Sequence, residues 1–183
     1  MRIRRVVLFI LMVAAAAGVA RWLISAQRAN EFGSHVFGTR AAFTAFTKSS
    51  RAKAERLRCN REFGSERLAD YRRDPAVSLS LEQIRQLQGL FTDRSSYSPE
   101  LWDMPPGSKT IKTCGPPSYG VLFTFEGRRP IRIALCFRCN QFGVFLGNND
   151  DDYVNDDDSD DLIRAPLVRL VKQIFPADPQ FSG

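Results

Sequence analysis

The sequence predicts an α+β protein: a small antiparallel β-meander packed by two amphipathic helices and preceded by an N-terminal transmembrane or signal helix. Three patterns support this fold class. Apolar residues follow a period of two through residues 121–146, recur at helical spacing in residues 81–91 and 162–175, and form an unbroken run from Val6 to Ala20. A period of two is typical of strands, and helical spacing is typical of amphipathic helices.

The N-terminal run predicts export of the chain. A basic n-region, residues 1–5, precedes the apolar run Val6–Ala20, which is shorter than the roughly 20 residues of a bilayer span. Arg21 could snorkel and Trp22 could lie at the membrane interface, so two interpretations stay open. Residues 1–26 are either an uncleaved signal anchor or a signal peptide cleaved after Ala20. A buried cytosolic helix is the remaining alternative.

Both export interpretations locate the folded part outside the cytosol. It would be anchored to the membrane, or released after cleavage. The arginines within residues 1–5 favour a cytosolic N-terminus, whereas Arg21, Arg28 and Arg40 weaken that orientation. In an oxidising compartment the cysteines would form disulfides by default.

Residues 27–50 are predicted to be a basic tether, because Gly33, Ser34 and Gly38 interrupt any helical pattern between Gln27 and Arg40. Residues 1–77 carry a net charge of +9 and residues 78–183 carry −3. The positive charge therefore belongs to the N-terminal third, where it suits contact with anionic lipid headgroups; nucleic acid is not the expected partner. A simply solvated basic face is the alternative.

Residues 51–183 are predicted to form a single α+β domain, best supported over residues 78–180. Ser80 and Gln83 fit a capping box at the start of the first amphipathic helix, and the last helix is expected to begin around Ala165. Residues 40–59 suit a helix or an edge strand, and residues 68–71 a second strand.

The run 148–161 holds eight aspartates but lacks EF-hand spacing, so a hydrated acidic loop is favoured over a calcium site.

The candidate disulfide residues are Cys59, Cys114, Cys136 and Cys139. Cys136 and Cys139 face opposite sides of an extended strand, so pairing of one of them with Cys114 is favoured over pairing with each other. A Cys114–Cys136 bridge would contribute roughly 3 kcal/mol in the chain-entropy model. With Cys59 included, three connectivities stay open.

Five elements of residues 78–180 form a distinctive set: Leu79-Ser80-Leu81-Glu82-Gln83, Leu90-Phe91-Thr92-Asp93-x-x-Ser96-Tyr97, Cys114-x-x-Pro117-x-Tyr119-Gly120, Cys136-Phe137-x-Cys139-Asn140 and Phe175-Pro176-x-Asp178. This set resembles a family of uncharacterised small bacterial envelope proteins, and the two cysteine elements are its most specific part. The resemblance implies a bacterial cell envelope, with the domain in the periplasm either anchored to the inner membrane or released if the chain is cleaved after Ala20. The family has no established activity, so the resemblance implies no catalytic residues. It does not extend to the N-terminal region that contains Cys59.

Three functions are compatible with these patterns. The first is a non-enzymatic envelope domain braced by disulfides that acts through surface contacts. The second is a thiol–disulfide or redox-sensing protein using Cys136 and Cys139, although their strand context lacks the helix N-terminus that lowers a thiol pKa. The third is a metal site of all four cysteines. The only histidine is His35, so Ser–His and Cys–His catalysis lack a base, and we predict no catalytic, cofactor-binding or metal-binding residue.

Overall fold

The computed structural model describes residues 2–59, 68–93, 120–137, 141–149, 153–158 and 165–178. Within these ranges, the side chains of residues 2–10, 24–26, 28–30, 35, 59, 70, 141 and 153–158 are not described. The described chain combines α-helices with an antiparallel sheet, which confirms the predicted α+β class.

The helices and strands alternate only partly along the chain. The described α-helices are α1 (Arg2–Val36), α2 (Arg40–Lys48), α3 (Leu81–Thr92) and α4 (Ala165–Ile174). The described strands are β1 (Ala52–Cys59), β2 (Tyr71–Arg73), β3 (Val77–Ser78), β4 (Val121–Phe125), β5 (Ile131–Cys136), β6 (Gln141–Leu146) and β7 (Tyr153–Asp158).

The predicted meander is confirmed as strands β4, β5 and β6, which pair in sequence order with Phe123 opposite Ile133 and Ile133 opposite Val144. The sheet is larger than predicted. Its strands lie in the order β2-β1-β4-β5-β6-β7, and β3 also pairs with β1. Each of these pairings is antiparallel.

Residues 40–59 hold both of the elements that the sequence left open, first helix α2 and then strand β1. The expectation of an edge strand is wrong, because β1 lies between β2 and β4. The edge itself is formed by β2 and β3, which pair with successive parts of β1. Pro75 lies between them, and a proline, which has no N–H to donate, is tolerated at such an edge. The predicted strand at residues 68–71 is a 3-10 turn at Leu68–Asp70 that leads into β2.

The acidic run is not entirely a loop. Residues Tyr153–Asp158 form strand β7, whose Asn155 lies opposite Val144 of β6. Backbone pairing with β6 holds this strand. An aspartate-rich sequence does not predict a strand, because aspartate is depleted in strands. The carboxylates of this run lie outside the described side chains, so the calcium hypothesis is not tested.

The main core lies on one face of the sheet, beneath α2, α3 and α4. Phe46 of α2 is fully buried, and its ring lies 4.6 Å from those of Phe37 and Phe125 and 6.1 Å from that of Phe91. Phe91 in turn makes an edge-to-face contact with Phe142, at 5.2 Å. Edge-to-face aromatic pairs of this kind each stabilise a fold by about 0.5–1.5 kcal/mol beyond area burial.

Both predicted amphipathic helices are confirmed. The hydroxyl of Ser80 accepts a hydrogen bond from the Gln83 N–H, and the Gln83 side chain accepts one from the Ser80 N–H, which completes the capping box. The last helix begins at Ala165, with Pro166 in its first turn, where proline costs little. Leu167, Leu170, Val171 and Ile174 form its buried stripe.

Residues 27–36 are helical, contrary to the expected tether. Helix α1 continues to Val36, and Phe32, Val36 and the following Phe37 are buried in the main core. Burial of these side chains outweighs the poor helix propensity of Gly33, which itself is buried where α1 meets α2. The absence of a side chain at Gly33 is required there, since a Cβ would overlap the ring of Phe43.

We therefore expect Gly33→Ala to destabilise the protein by about 1–3 kcal/mol through overpacking, despite the higher helix propensity of alanine. Gly89→Ala is the matched control, because Gly89 also lies inside a helix but has no atom within 4 Å of the added Cβ. The control should stabilise the protein by up to about 1 kcal/mol. Urea unfolding of the full chain in mild detergent measures both changes, and equal effects of the two substitutions would contradict the proposed packing.

Candidate functional site

Two of the candidate disulfide residues, Cys59 and Cys136, lie at one end of the sheet. Strands β1 and β5 flank β4, with Arg56 and Leu135 both opposite Val121. Cys59 is the last residue of β1 and Cys136 is the last residue of β5, so both lie at this end of the sheet. We call it the cysteine end, defined by Cys59, Cys136, Gly120 at the start of β4 and Asp178 after α4.

Cys136 is buried and its sulfur is disulfide-bonded. Its partner is not among the described residues, which include neither Cys114 nor Cys139 and do not include the side chain of Cys59. The predicted connectivity therefore stays a prediction. The position of Cys136 in a strand is as predicted, and it supplies no helix dipole to activate a thiolate.

A buried ion pair, which the sequence patterns did not predict, lies at the same end. Arg56 of β1 and Asp178 are 6% and 8% exposed, and Arg56 Nε donates to Asp178 Oδ2 at 2.6 Å. Arg56 Nη1 also donates to the carbonyl oxygens of Leu57, at 3.2 Å, and Gly120. A charged pair is tolerated in so dry a place only when further hydrogen bonds satisfy its polar atoms, as they do here.

Gly120 allows the arginine to approach the start of β4. A Cβ at this position would lie 3.0 Å from Arg56 Nη1 and 3.1 Å from the ring of Phe137, closer than such contacts normally are. The glycine N–H donates to the Leu135 carbonyl at 2.7 Å. Any larger residue would push the guanidinium group away from the Gly120 carbonyl that accepts its hydrogen bond.

The Arg56 ion-pair site joins three of the sequence elements that carry the family resemblance. Gly120 ends the first cysteine element, Phe137 belongs to the second, and Asp178 ends the C-terminal element. The arginine that connects them lies in β1, outside the region of resemblance. Its hydrogen bonds go to Asp178 and to the carbonyls of Leu57 and Gly120, so the site links β1, the start of β4 and the chain after α4.

No metal centre is found within the part of the chain that the structure describes: no three His, Cys, Asp or Glu side chains there could hold an ion together. The hypothesis of a four-cysteine metal site depends on Cys114 and Cys139, which lie outside the described residues.

The other candidate is the apolar part of α1. Every side chain of residues 11–23 is exposed, including Leu11 at 62%, Met12 at 60% and Trp22 at 67%. Among the described residues, no helix reaches the length and apolarity needed to cross a membrane. The predicted N-terminal transmembrane helix is therefore unconfirmed, and the side chains of Val6 to Ile10, which begin the predicted segment, are not described.

Comparisons with known proteins add no assignment. No protein-family model matches the chain, and no curated protein and no solved structure matches it. The resemblance to small bacterial envelope proteins therefore stays a prediction.

The ion pair yields a direct test. Asp178→Asn keeps the shape of the side chain but leaves the buried charge of Arg56 without its carboxylate, and we expect a loss of about 3 kcal/mol in the free energy of unfolding.

Asp74→Asn is the control for this substitution. The side chain of its partner Arg58 is 58% exposed, and Arg58 Nε lies 2.8 Å from Asp74 Oδ2. A solvated ion pair of this kind contributes less than about 1 kcal/mol to the free energy of unfolding. Urea denaturation compares the two variants, and a loss at Asp178 no larger than that at Asp74 would exclude a stabilising role for the Arg56 site.

Proposed function

We propose that the protein is a membrane-anchored or exported envelope protein whose folded part is a non-enzymatic interaction domain braced by disulfides. The observation that carries this proposal is the exposed apolar segment of α1, residues 11–23, which continues without a break into a helix end buried in the core. Its most apolar exposed side chains are Leu11, Met12, Val13, Val19, Trp22 and Leu23.

An apolar helix of this kind is unfavourable in water. Removing a Leu- or Val-sized side chain from water is worth about 1.5–3 kcal/mol, so lipid contact of these six residues would contribute on the order of 10 kcal/mol. Helices that are apolar on all sides are typical of buried or membrane-embedded segments. Arg21 and Trp22 follow the run, in the order expected where a helix leaves the hydrocarbon for the interface.

The link between this segment and the domain supports an anchor. Residues 23–36 belong to the same helix as the apolar run, and Phe32 and Val36 at its end pack into the main core. A helix of this length rises about 20 Å between Leu23 and Val36. The domain would thus be held at a defined distance from the bilayer by a helix, and not by the flexible tether that the sequence predicted.

A bracing role for the cysteines fits the surroundings of Cys136. Its side chain is 1% exposed and belongs to a strand that is buried along its whole length. A redox-active cysteine needs access to its substrate and a lowered pKa, which this position does not favour. The Arg56 ion pair links the same end of the sheet to the chain that follows α4.

Membrane anchoring is tested by placing a charge in the apolar segment. We expect the full chain to fractionate with membranes and to resist alkaline extraction, and Val13→Lys to lower its membrane partition coefficient about 100-fold, since a lysine near the centre of a membrane helix costs about 2.5–3.5 kcal/mol.

Gln27→Lys is the control, because it adds the same charge on the exposed part of α1 beyond the apolar run. The intact mass distinguishes an anchor from a segment cleaved after Ala20. A wild-type chain that keeps its full mass and is extracted at alkaline pH would contradict the proposal.

The disulfide framework is tested by alkylation before and after reduction, followed by peptide mapping of protein taken from an oxidising compartment. We expect Cys136 to stay unlabelled until reductant is added, because its sulfur is already bonded. The cross-linked peptide should join the Cys114 element to Cys136 or Cys139. Labelling of Cys136 in the unreduced, denatured chain would overturn the bracing role.

A further inference from the structure

We propose that one end of the sheet binds the anionic phospholipid headgroups of the leaflet in which α1 is seated, an inference that rests on the proposed membrane anchor. This surface, the basic turn end, lies opposite the cysteine end and is formed by Lys48, Arg51, Arg128 and Arg129. The first two belong to the α2–β1 connection and the last two to the β4–β5 turn.

Hydrogen bonds join these two segments into one surface. Ser49 Oγ donates to the Glu126 carbonyl at 3.1 Å, and the Glu126 N–H donates to the Arg51 carbonyl at 2.9 Å. Arg51 Nε also lies 3.5 Å from a carboxylate oxygen of Glu126. Residues 48–51 and 126–129, which are far apart in sequence, therefore form a continuous patch.

The patch is exposed and strongly cationic. Lys48, Arg51, Arg128 and Arg129 are all exposed, and the Arg51 side chain is 81% exposed. Glu126 is the one carboxylate in these two segments, so four cations face a single negative charge. An ion pair as exposed as Arg51–Glu126 is weak and leaves the arginine available to a stronger anion.

The path of the helices directs this patch towards the apolar segment. Gly33, three residues before the end of α1, contacts Phe43, three residues after the start of α2. Gly33 and Phe43 are equally far from the short connection between α1 and α2. A contact between two such residues is typical of a helical hairpin, so α2 runs back along α1. Lys48 at the end of α2 is thus nearer to the membrane segment than Arg40 at its start.

The remaining gap is short enough for electrostatic contact. Helix α2 rises about 12 Å from Arg40 to Lys48, which in a hairpin brings Lys48 level with residues near 28 of α1. Leu23, the last residue of the exposed segment 11–23, is then only about 8 Å further along α1. This separation is comparable to the Debye length of about 8 Å at physiological ionic strength.

Lipid headgroups fit this surface better than nucleic acid does. Each Lys or Arg held near an anionic leaflet increases membrane partitioning about fivefold. Binding of single-stranded nucleic acid relies on exposed aromatic side chains among the cations. Within residues 46–51 and 126–130 the one aromatic side chain is Phe46, which is fully buried.

The test measures arginine accessibility in the full chain, incorporated into nanodiscs of phosphatidylcholine with or without phosphatidylglycerol. We expect a dicarbonyl arginine reagent, read by mass spectrometry, to modify Arg51, Arg128 and Arg129 about fivefold more slowly when phosphatidylglycerol is present. High ionic strength should remove the difference. Arg72 and Arg73 are the internal control, since they are exposed on β2 near the cysteine end and should react equally in both discs.

A pair of charge variants separates this surface from general cationic attraction. Arg128→Gln/Arg129→Gln should return the reactivity of Arg51 towards its value in phosphatidylcholine, whereas Arg72→Gln/Arg73→Gln, with the same loss of charge, should not. The lipid contact would be overturned if Arg72 and Arg73 were slowed as much as Arg128 and Arg129, or if Arg128 and Arg129 were not slowed. Failure of the wild-type chain to enter either disc would overturn the membrane anchor itself.

Discussion

The packing of Phe46 determines where everything N-terminal to the sheet lies. This ring is fully buried between Phe37, which follows α1, and Phe125 of β4, while Gln88 of α3 donates to the carbonyls of Phe46 and Ser49 at 2.8 and 2.9 Å. The aromatic contact fixes α2 on the sheet, and the amide satisfies carbonyls that a helix end leaves open. Because α1 packs on α2, the direction in which the apolar segment leaves the domain depends on this contact together with the burial of Phe32 and Val36.

Most of the correctly predicted parts of the fold were predicted from local sequence patterns. The meander, the capping box at Ser80 and the last helix all follow from periodicity or spacing within about a dozen residues, and each is present. The elements that were missed depend on distant partners. Strand β7 pairs through its backbone despite its aspartates, and the helical pattern around Gly33 makes sense only once Phe43 fills the space beside the glycine.

The candidate site shows the same limit. Cys136 was identified because cysteine spacing is visible in sequence, but Arg56 was not, since its partners Gly120 and Asp178 lie 64 and 122 residues away. An arginine between alternating strand residues has the pattern of a solvated side chain. Its burial becomes apparent only when the chain after α4 supplies Asp178, because a lone guanidinium group would not tolerate that environment.

The two ends of the sheet differ in chemistry, and the proposed anchor determines which end faces the bilayer. With the basic turn end against the headgroups, the cysteine end faces away from the bilayer. There Arg56 joins β1, β4 and the chain after α4, and the disulfide of Cys136 adds a covalent constraint. In the proposed envelope role, the stability of this end of the domain would then depend on the ion pair and the disulfide, and not on lipid contact.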